Sequence, residues 1–494
     1  MSARFGFPRA DLRARTVRGA LITGGFLIAV DALVLVQGLI VTRLLGPAEI
    51  GLYGIATVTV VTVTALRRIG IEEAFVAQDE PDQELEFQRA FTLELGVSCL
   101  FAVVLAGLAP LVALAYGEDR VLGLMLALSL LPVAMALLAP LWIFFRRMDF
   151  ARQRALQAIQ PVVSFAVTVP LAATGSGVWS LVLGTLAGYL AAVSAALALS
   201  PYRPALRFDR EAARRYGRFS GWVVAASVAA LVVAQGQVVA FEADGGLAAA
   251  GFITLAVTLT RYADRADQIV TATVYPAICA LGDGAAALQE LFVKANRATL
   301  LYVLPFCAGI VLFAADLVAF VLGDEWEAAV VLLQGLAVAG ALQQVGYNWF
   351  AFYRARGQTR PQAVETGCGA LAFLALAVPG LVLLGAEGFV VGRVAAVLVV
   401  LVVRWVYVRR LLPGVRIGAL VAPALLPLTL AALSTLALRA VLWGGERSVA
   451  QALAELALFV AVYVAGALRS ERSLLSELRG GFSGVQSAPS TSRT

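Results

Sequence analysis

Histidine is absent from this chain of 494 residues, lysine occurs once, at Lys294, and only 14% of the residues are charged. The first absence removes imidazole general bases, His-ligated metals and His-based proton relays. Cysteine is scarce as well: Cys99, Cys279, Cys307 and Cys368 lie singly in or beside apolar runs, without CxxC spacing. They read as small buried hydrophobes and predict neither a metal site nor a disulfide framework. No cofactor is expected. The shortage of polar residues over long stretches matters most. With 61% hydrophobic residues and a mean hydropathy of +0.86, the composition lies outside the range of soluble domains.

In place of polar residues stand unbroken apolar runs, each long enough to cross about 30 Å of hydrocarbon as a helix of roughly 20 residues. They show no period of two, so helices are expected and a β-barrel is not. The chain predicts an all-α polytopic membrane protein with about fourteen spans: 19–41, 49–66, 91–115, 122–145, 155–173, 178–199, 219–241, 248–270, 298–321, 328–352, 363–384, 388–408, 417–440 and 449–468. The basic start, MSARFGFPRADLRARTVR, precedes a run of full spanning length and predicts an uncleaved first helix.

Arginine sets the orientation, because positive residues near span ends are retained in the cytoplasm. With the N-terminus inside, cytoplasmic segments hold Arg13, Arg15 and Arg18, the pairs Arg67/Arg68, Arg146/Arg147, Arg214/Arg215 and Arg409/Arg410, and many single arginines. Outer ends hold only Arg43, Arg120, Arg393, Arg439 and Arg447. Both termini are therefore predicted to be cytoplasmic. The net charge of +6 is accounted for by this asymmetry and calls for no nucleic-acid partner. No predicted outer loop is large, which argues against a polymerase or ligase that must fold an external loop over its substrate.

An internal repeat organises the spans. VQGLIVTRLLGPAEIGLYGIAT, from Val36 to Thr57, aligns with AQGQVVAFEADGGLAAAGFITLA, from Ala234 to Ala256. Gln37 pairs with Gln235, Gly38 with Gly236, Ile40 with Val238, Val41 with Val239 and, after a two-residue insertion, Gly51 with Gly251 and Ala56 with Ala256. Letters alone leave chance alignment of apolar runs open. Topology adds that both copies sit on an outgoing span, a tight external turn marked by GP or DGG, and a returning span. An offset of six spans preserves direction and predicts parallel repeats. The expected organisation is a cytoplasmic segment 1–18, an N-lobe of six spans 19–199, a linker 200–218, a C-lobe of six spans 219–410, two added spans within 411–470, and a cytoplasmic tail 471–494.

TRLLGPAEIGLYGIA resembles the first-hairpin signature of the Wzx-type polysaccharide flippases, whose relatives include lipid II flippases and multidrug and toxin exporters. LPFCAGIVLFAADLVAFVLGDEWEAAVVLLQGLAVAG resembles their hairpin between spans 9 and 10. One departure concerns Gln237 and Glu242, where such proteins often carry an Asp and a small or basic residue. The resemblance implies a non-enzymatic flippase of the bacterial inner membrane. It would move polyprenyl-diphosphate-linked oligosaccharide for O-antigen, capsule or exopolysaccharide by alternating access. A lipid II flippase or drug exporter of the same superfamily is the alternative. Membrane lipids are the other expected partners, and the chain is expected as a monomer in reach of the polysaccharide polymerase machinery.

Candidate binding residues follow from charge in apolar surroundings, which is expensive and by default functional. Arg261, Asp264, Arg265 and Gln268 recur at spacings of three and four on the eighth span and so share a helical face. Counting from Gly251 near the outer boundary, Arg261 lies roughly 15 Å into the membrane. Permanent charge and a forked guanidinium suit arginine to a diphosphate. The alternative is that the eighth span ends early, with Arg261 and Arg265 neutralised by Asp264 and Asp267 at its cytoplasmic end. Arg43 is a second diphosphate candidate or an ordinary interfacial arginine. Asp31 is an ion or proton site, the partner of a lobe arginine, or a packing residue. Gln37, Gln235, Gln237, Gln343, Gln344 and Asn348 are amides for sugar hydroxyls or for interhelical hydrogen bonds.

Overall fold

The computed structural model describes residues 9–66, 71, 72, 75, 81–147, 149–210, 221–267, 270, 274, 278, 285–354, 356, 358, 360–442 and 447–472. Among these the regular structure is helical, and no strand forms. Apolar sequence explains the choice, since without water a backbone group must find its partner inside the chain, and a helix achieves that locally. The helices are α1 (Arg9–Leu66), α2 (Gln83–Tyr116), α3 (Asp119–Leu128), α4 (Leu131–Leu137), α5 (Pro140–Arg146), α6 (Phe150–Ala173), α7 (Trp179–Ala198) and α8 (Gly221–Thr260), followed by α9 (Ala285–Leu317), α10 (Ala329–Gln343), α11 (Trp349–Arg354), α12 (Arg360–Ala372), α13 (Val378–Leu411), α14 (Ile417–Leu442) and α15 (Val449–Ser470).

Ten helical stretches among the described residues are long and apolar enough to cross a membrane. Three of them, Ala29–Val61, Val232–Asp267 and Arg360–Leu411, contain glycines that leave helical geometry. These are Gly46, with φ 73° and ψ 171°, then Gly245 and Gly246, the latter with φ 68°, and Gly385, with φ 64° and ψ −150°. At Gly385 the chain folds back on itself. A Cβ on Gly392 would overlap the carbonyl oxygen of Leu376, sixteen positions earlier and about 24 Å away along a straight helix. Polar residues mark other ends: the Asp82 carboxylate accepts from Leu85 N at 3.0 Å, and Ser448 with Gln451 forms a capping box on α15.

The chain divides into two compact units, Met1–Gly251 and Phe252–Thr494. Within the first, the Glu49 carboxylate of α1 ties two other elements to its turn: it accepts from Arg120 Nη2 at 2.6 Å, in the first turn of α3, and from Val178 N at 2.7 Å, between α6 and α7. An aromatic cluster of Phe75, Phe87, Phe91 and Trp142 packs elsewhere in this unit. The described part of the basic linker is strapped to α2, with Arg203 N donating to Glu84 Oε1, Arg207 N to Thr92 Oγ1, and Arg89 paired with Asp209 at 3.0 Å.

Within the second unit, α14 and α15 are fastened to α9 at several levels. Arg297 of α9 meets Glu471, just past α15, at 2.6 Å, and the Tyr463 hydroxyl donates to the Leu301 carbonyl at 2.9 Å. Phe459 and Tyr463 pack with Ala431 against Leu312 and Phe313. Asp316 of α9, Arg439 of α14, Arg447, and Glu455 of α15 form a four-charge cluster at the far end.

Candidate functional site

Two interruptions of helix define the site in the second unit. The α-geometry of α8 stops at Thr260, Arg261–Ala263 tightens to a 3-10 turn, and α-helix resumes from Asp264 to Asp267. Thr258 and Thr260 prepare this by turning their hydroxyls onto the preceding carbonyls of Thr254 and Ala256, at 2.7 and 2.8 Å, which loosens the ladder. The expected single face of a continuous helix is therefore replaced by a step of different pitch. Arg261, Asp264 and Arg265 are all exposed there, and Gln268 lies outside the described residues.

The second interruption follows the short apolar helix α10. Helix α10 ends at Gln343, residues 344–348 form turns, and α11 starts at Trp349. Gly346 permits the break, with φ +68° and a Cβ position only 3.5 Å from Arg404 Cδ. Backbone groups released here need partners, and a buried arginine supplies them. Arg404 of α13 donates through Nη1 to the carbonyls of Gln343 and Val345, the latter at 2.7 Å. Its Nε and Nη2 reach one oxygen of Glu365 on α12, at 2.9 and 2.7 Å. Arg404 and Glu365 are each 7% exposed. A cation at the carbonyl end of a helix is also favoured by the aligned peptide dipoles.

The side chains released by the break turn toward neighbouring helices. Gln344 Nε2 donates to Asp264 Oδ1 at 2.7 Å. Asn348 accepts from Asn296 Nδ2 at 2.8 Å, and Thr299 Oγ1 donates to the Tyr347 hydroxyl at 2.9 Å, so Asn296 and Thr299 form a polar stripe along one face of α9. Asn296, Thr299 and Asn348 are fully buried. The Gln344 Oε1, Asn296 Oδ1 and Asn348 Nδ2 atoms make no hydrogen bond. Orphaned polar atoms of this kind are expected where a polar network has unused capacity.

Of the sequence candidates, the structure thus joins Asp264 with Gln344 and ties Asn348 to α9. Gln343 contributes its carbonyl. In the first unit Asp31 and Gln37 are half-buried on α1, Arg43 is exposed on the same helix and Gln237 is buried on α8. The side chain of Gln235 lies outside the described residues. Sequence reasoning missed Arg404, Glu365, Asn296, Thr299 and Tyr347. In sequence Arg404 reads as one more of the cytoplasmic arginines. The signal that could have found the break is QQVGYN, a polar run with a glycine inside an apolar span.

Among known protein families, the model described as Polysaccharide biosynthesis protein matches residues 40–331, more than half of the chain. The chain belongs to that family. Proteins similar to it include the succinoglycan biosynthesis transport protein ExoT of Rhizobium meliloti (strain 1021), 24% identical over 324 residues, or 65% of either chain. The lipopolysaccharide biosynthesis protein WzxC of Escherichia coli (strain K12) is 22% identical over 347 residues, 68% of this chain and 69% of that one. The match thus spans a little under two thirds of the Rhizobium protein's length. The resemblance to Wzx-type polysaccharide flippases is borne out.

Two solved structures share the fold of this family member with a TM-score of 0.65 each. An inward-facing multidrug resistance MATE family transporter of the MOP superfamily is 16% identical, covering 78% of this chain and 94% of its own. The lipid II flippase MurJ in an inward closed conformation is 13% identical, covering 91% and 100%. With ten apolar helices among the described residues and this fold, the family member is a multi-pass membrane protein.

Proposed function

We propose that this chain is a flippase for lipid-diphosphate-linked oligosaccharide repeat units of a surface polysaccharide. Membership of the polysaccharide biosynthesis family, with relatives named for succinoglycan transport and lipopolysaccharide biosynthesis, is the observation that carries the reading. The fold shared with a lipid II flippase supports a lipid-linked substrate. In this reading the protein has fourteen spans. The glycine turns at Gly46, Gly245–Gly246 and Gly385 each divide one long helical stretch into two, and α10 completes the count. Two six-span lobes alternate access across the bacterial inner membrane, with two added spans and both termini in the cytoplasm.

Physical chemistry assigns the roles. A diphosphate cannot enter hydrocarbon without compensating positive charge, and Arg261 and Arg265, exposed beside an interrupted helix, supply permanent charge with forked donors. Asp264, held by Gln344, offsets part of that charge. No covalent step is required. The MATE likeness favours a second reading, export of a cationic or amphipathic small molecule, in which Asp264 and not the arginines would be the principal contact.

Deleting the gene in its native host, with and without a plasmid copy, tests the proposal. Loss of surface polysaccharide, with lipid-linked repeat units accumulating unpolymerised on the cytoplasmic leaflet, is expected. Normal polysaccharide combined with raised drug sensitivity would replace the flippase reading by the exporter one.

A further inference from the structure

Arg404 reaches the backbone on either side of a single side chain. Its Nη1 binds the carbonyls of Gln343 and Val345, and the residue bracketed between them is Gln344, whose amide nitrogen donates to Asp264. The other two donors of the guanidinium rest on Glu365 Oε1, which fixes the plane of the fork. We infer that Arg404 is a positioning residue for transport: by clamping the break in the tenth span it holds Gln344 on Asp264, so that the polar end of α8 and the break move as one piece. The inference rests on the transport reading above and goes beyond it, since the hydrogen bonds of Arg404 reach the candidate substrate residues only at the backbone carbonyl of Gln343.

Three features argue for this role over ordinary helix packing. A salt bridge alone would need only the Glu365 contact, yet half of the arginine's recorded hydrogen bonds go to carbonyls freed by the break. The turn bonds within the break, such as Tyr347 N to the Gln344 carbonyl at 3.3 Å and Trp349 N to the Gly346 carbonyl at 3.3 Å, use neither the Gln343 nor the Val345 carbonyl, and Gly346 at φ +68° stops the helix from continuing. Gln344 keeps its Oε1 unbonded, so its orientation is set by the backbone and by Asp264 alone. Lysine could not substitute fully, because a single ammonium lacks the rigid fork that spans two carbonyls and a carboxylate.

The test uses the full chain, purified for exchange measurements and expressed in a flippase-deficient host for export. Arg404→Gln is compared with Arg404→Lys, with Gln344→Ala, with the double variant Arg404→Gln/Gln344→Ala, and with the swap Arg404→Glu/Glu365→Arg. The swap rebuilds an ion pair but places no donor at position 404, and it is the variant that keeps the question open if Arg404→Gln fails to fold. The expected result has backbone amides of residues 344–348 exchanging roughly tenfold faster in Arg404→Gln and in the swap, the factor a lost charge-assisted hydrogen bond carries. Export should fall in both, partly return with Lys, and drop no further when Arg404→Gln is added to Gln344→Ala, because both act through one contact. Wild-type exchange and export in the swap, or independent multiplying losses in the double variant, would overturn the inference. If the wild type itself exports no lipid-linked oligosaccharide, the transport reading fails instead, and the exchange comparison still decides whether Arg404 holds the break.

Discussion

Gly51 and Gly251, which the internal repeat aligns with one another, meet in the folded chain. A Cβ on Gly51 would overlap the carbonyl oxygen of Leu247 and stand 2.9 Å from Gly251 N, and a Cβ on Gly251 would overlap the carbonyl oxygen of Pro47. Each glycine therefore accepts the backbone just before its counterpart. A reciprocal contact of this kind is what two copies of one hairpin produce when they pack face to face.

Alanine at either glycine should force the two turns apart. The obstacle is backbone, which cannot swing aside as a side chain can, so the cost belongs with overpacking, about 1–3 kcal/mol. Gly38→Ala and Gly96→Ala serve as controls, since a Cβ at either position meets nothing within 4 Å. Thermal unfolding in detergent should show Gly51→Ala and Gly251→Ala clearly below wild type and both controls close to it. Equal midpoints for all four variants would mean that the close approach can relax at no cost.

The four-charge cluster gives a sharper contrast. Glu455 is fully buried and receives Arg439 Nη2 and Arg447 Nη1, each at 2.8 Å, while Asp316 receives Arg447 Nη2 at 2.8 Å. Removing one member leaves buried charge uncompensated, a loss of about 3–5 kcal/mol. Glu455→Leu should therefore release α15 from α9, seen as faster amide exchange along Val449–Ser470. Adding Arg447→Leu should recover part of the loss, because the pair leaves together. The exposed pair of Arg120 and Glu49 behaves otherwise: Arg120→Ala should cost no more than about 1 kcal/mol, while the bond from Val178 N to Glu49 persists.

Much of the architecture was legible because lipid imposes simple rules on sequence. Long apolar runs had to be helices, and the GP and DGG turns fall where Gly46, Gly245 and Gly246 leave helical geometry. The pairing of Gly51 with Gly251 came from letters and became a contact. The clamp on the break between α10 and α11 was not legible. Arg404 and Glu365 lie 39 positions apart, near the ends of their spans, where charge reads as an interfacial anchor. Their burial depends on the break at Gly346, and a local reading cannot tell which of several intramembrane polar residues will face carbonyls set free in another helix. Helix α8 shows a milder version. Its four-residue charge spacing was correct in sequence, but threonine back-bonding before Arg261 changed the pitch beneath it.

Arg261 and Arg265 should act through charge. Replacing both by Lys keeps the charge and loses the bidentate geometry, so export should weaken less than in the double Ala variant. The measurement is surface polysaccharide per unit of membrane-inserted protein. Wild-type export by the double Ala variant at normal protein level would remove both residues from substrate binding and leave them as end anchors of the eighth span.

The direction of transport should follow the membrane potential. The substrate proposed here is a diphosphate that travels toward the positive side, while the arginines that accompany it belong to the protein and return. Each elementary charge that crosses the full field gains about 2.3 kcal/mol per 100 mV, and two uncompensated charges gain roughly twice that. Asp31, the single acidic residue in the first span, is the obvious place for a coupled ion to cancel part of this gain. Reconstituted vesicles separate the two cases: a potassium diffusion potential is imposed with no proton or sodium gradient, and the accessibility of the oligosaccharide headgroup is followed. Accumulation should track the sign and size of the potential and persist in Asp31→Asn. Accumulation that ignores the potential, responds to pH or sodium, and disappears in Asp31→Asn would make Asp31 the coupling site and a chemical gradient the driving force.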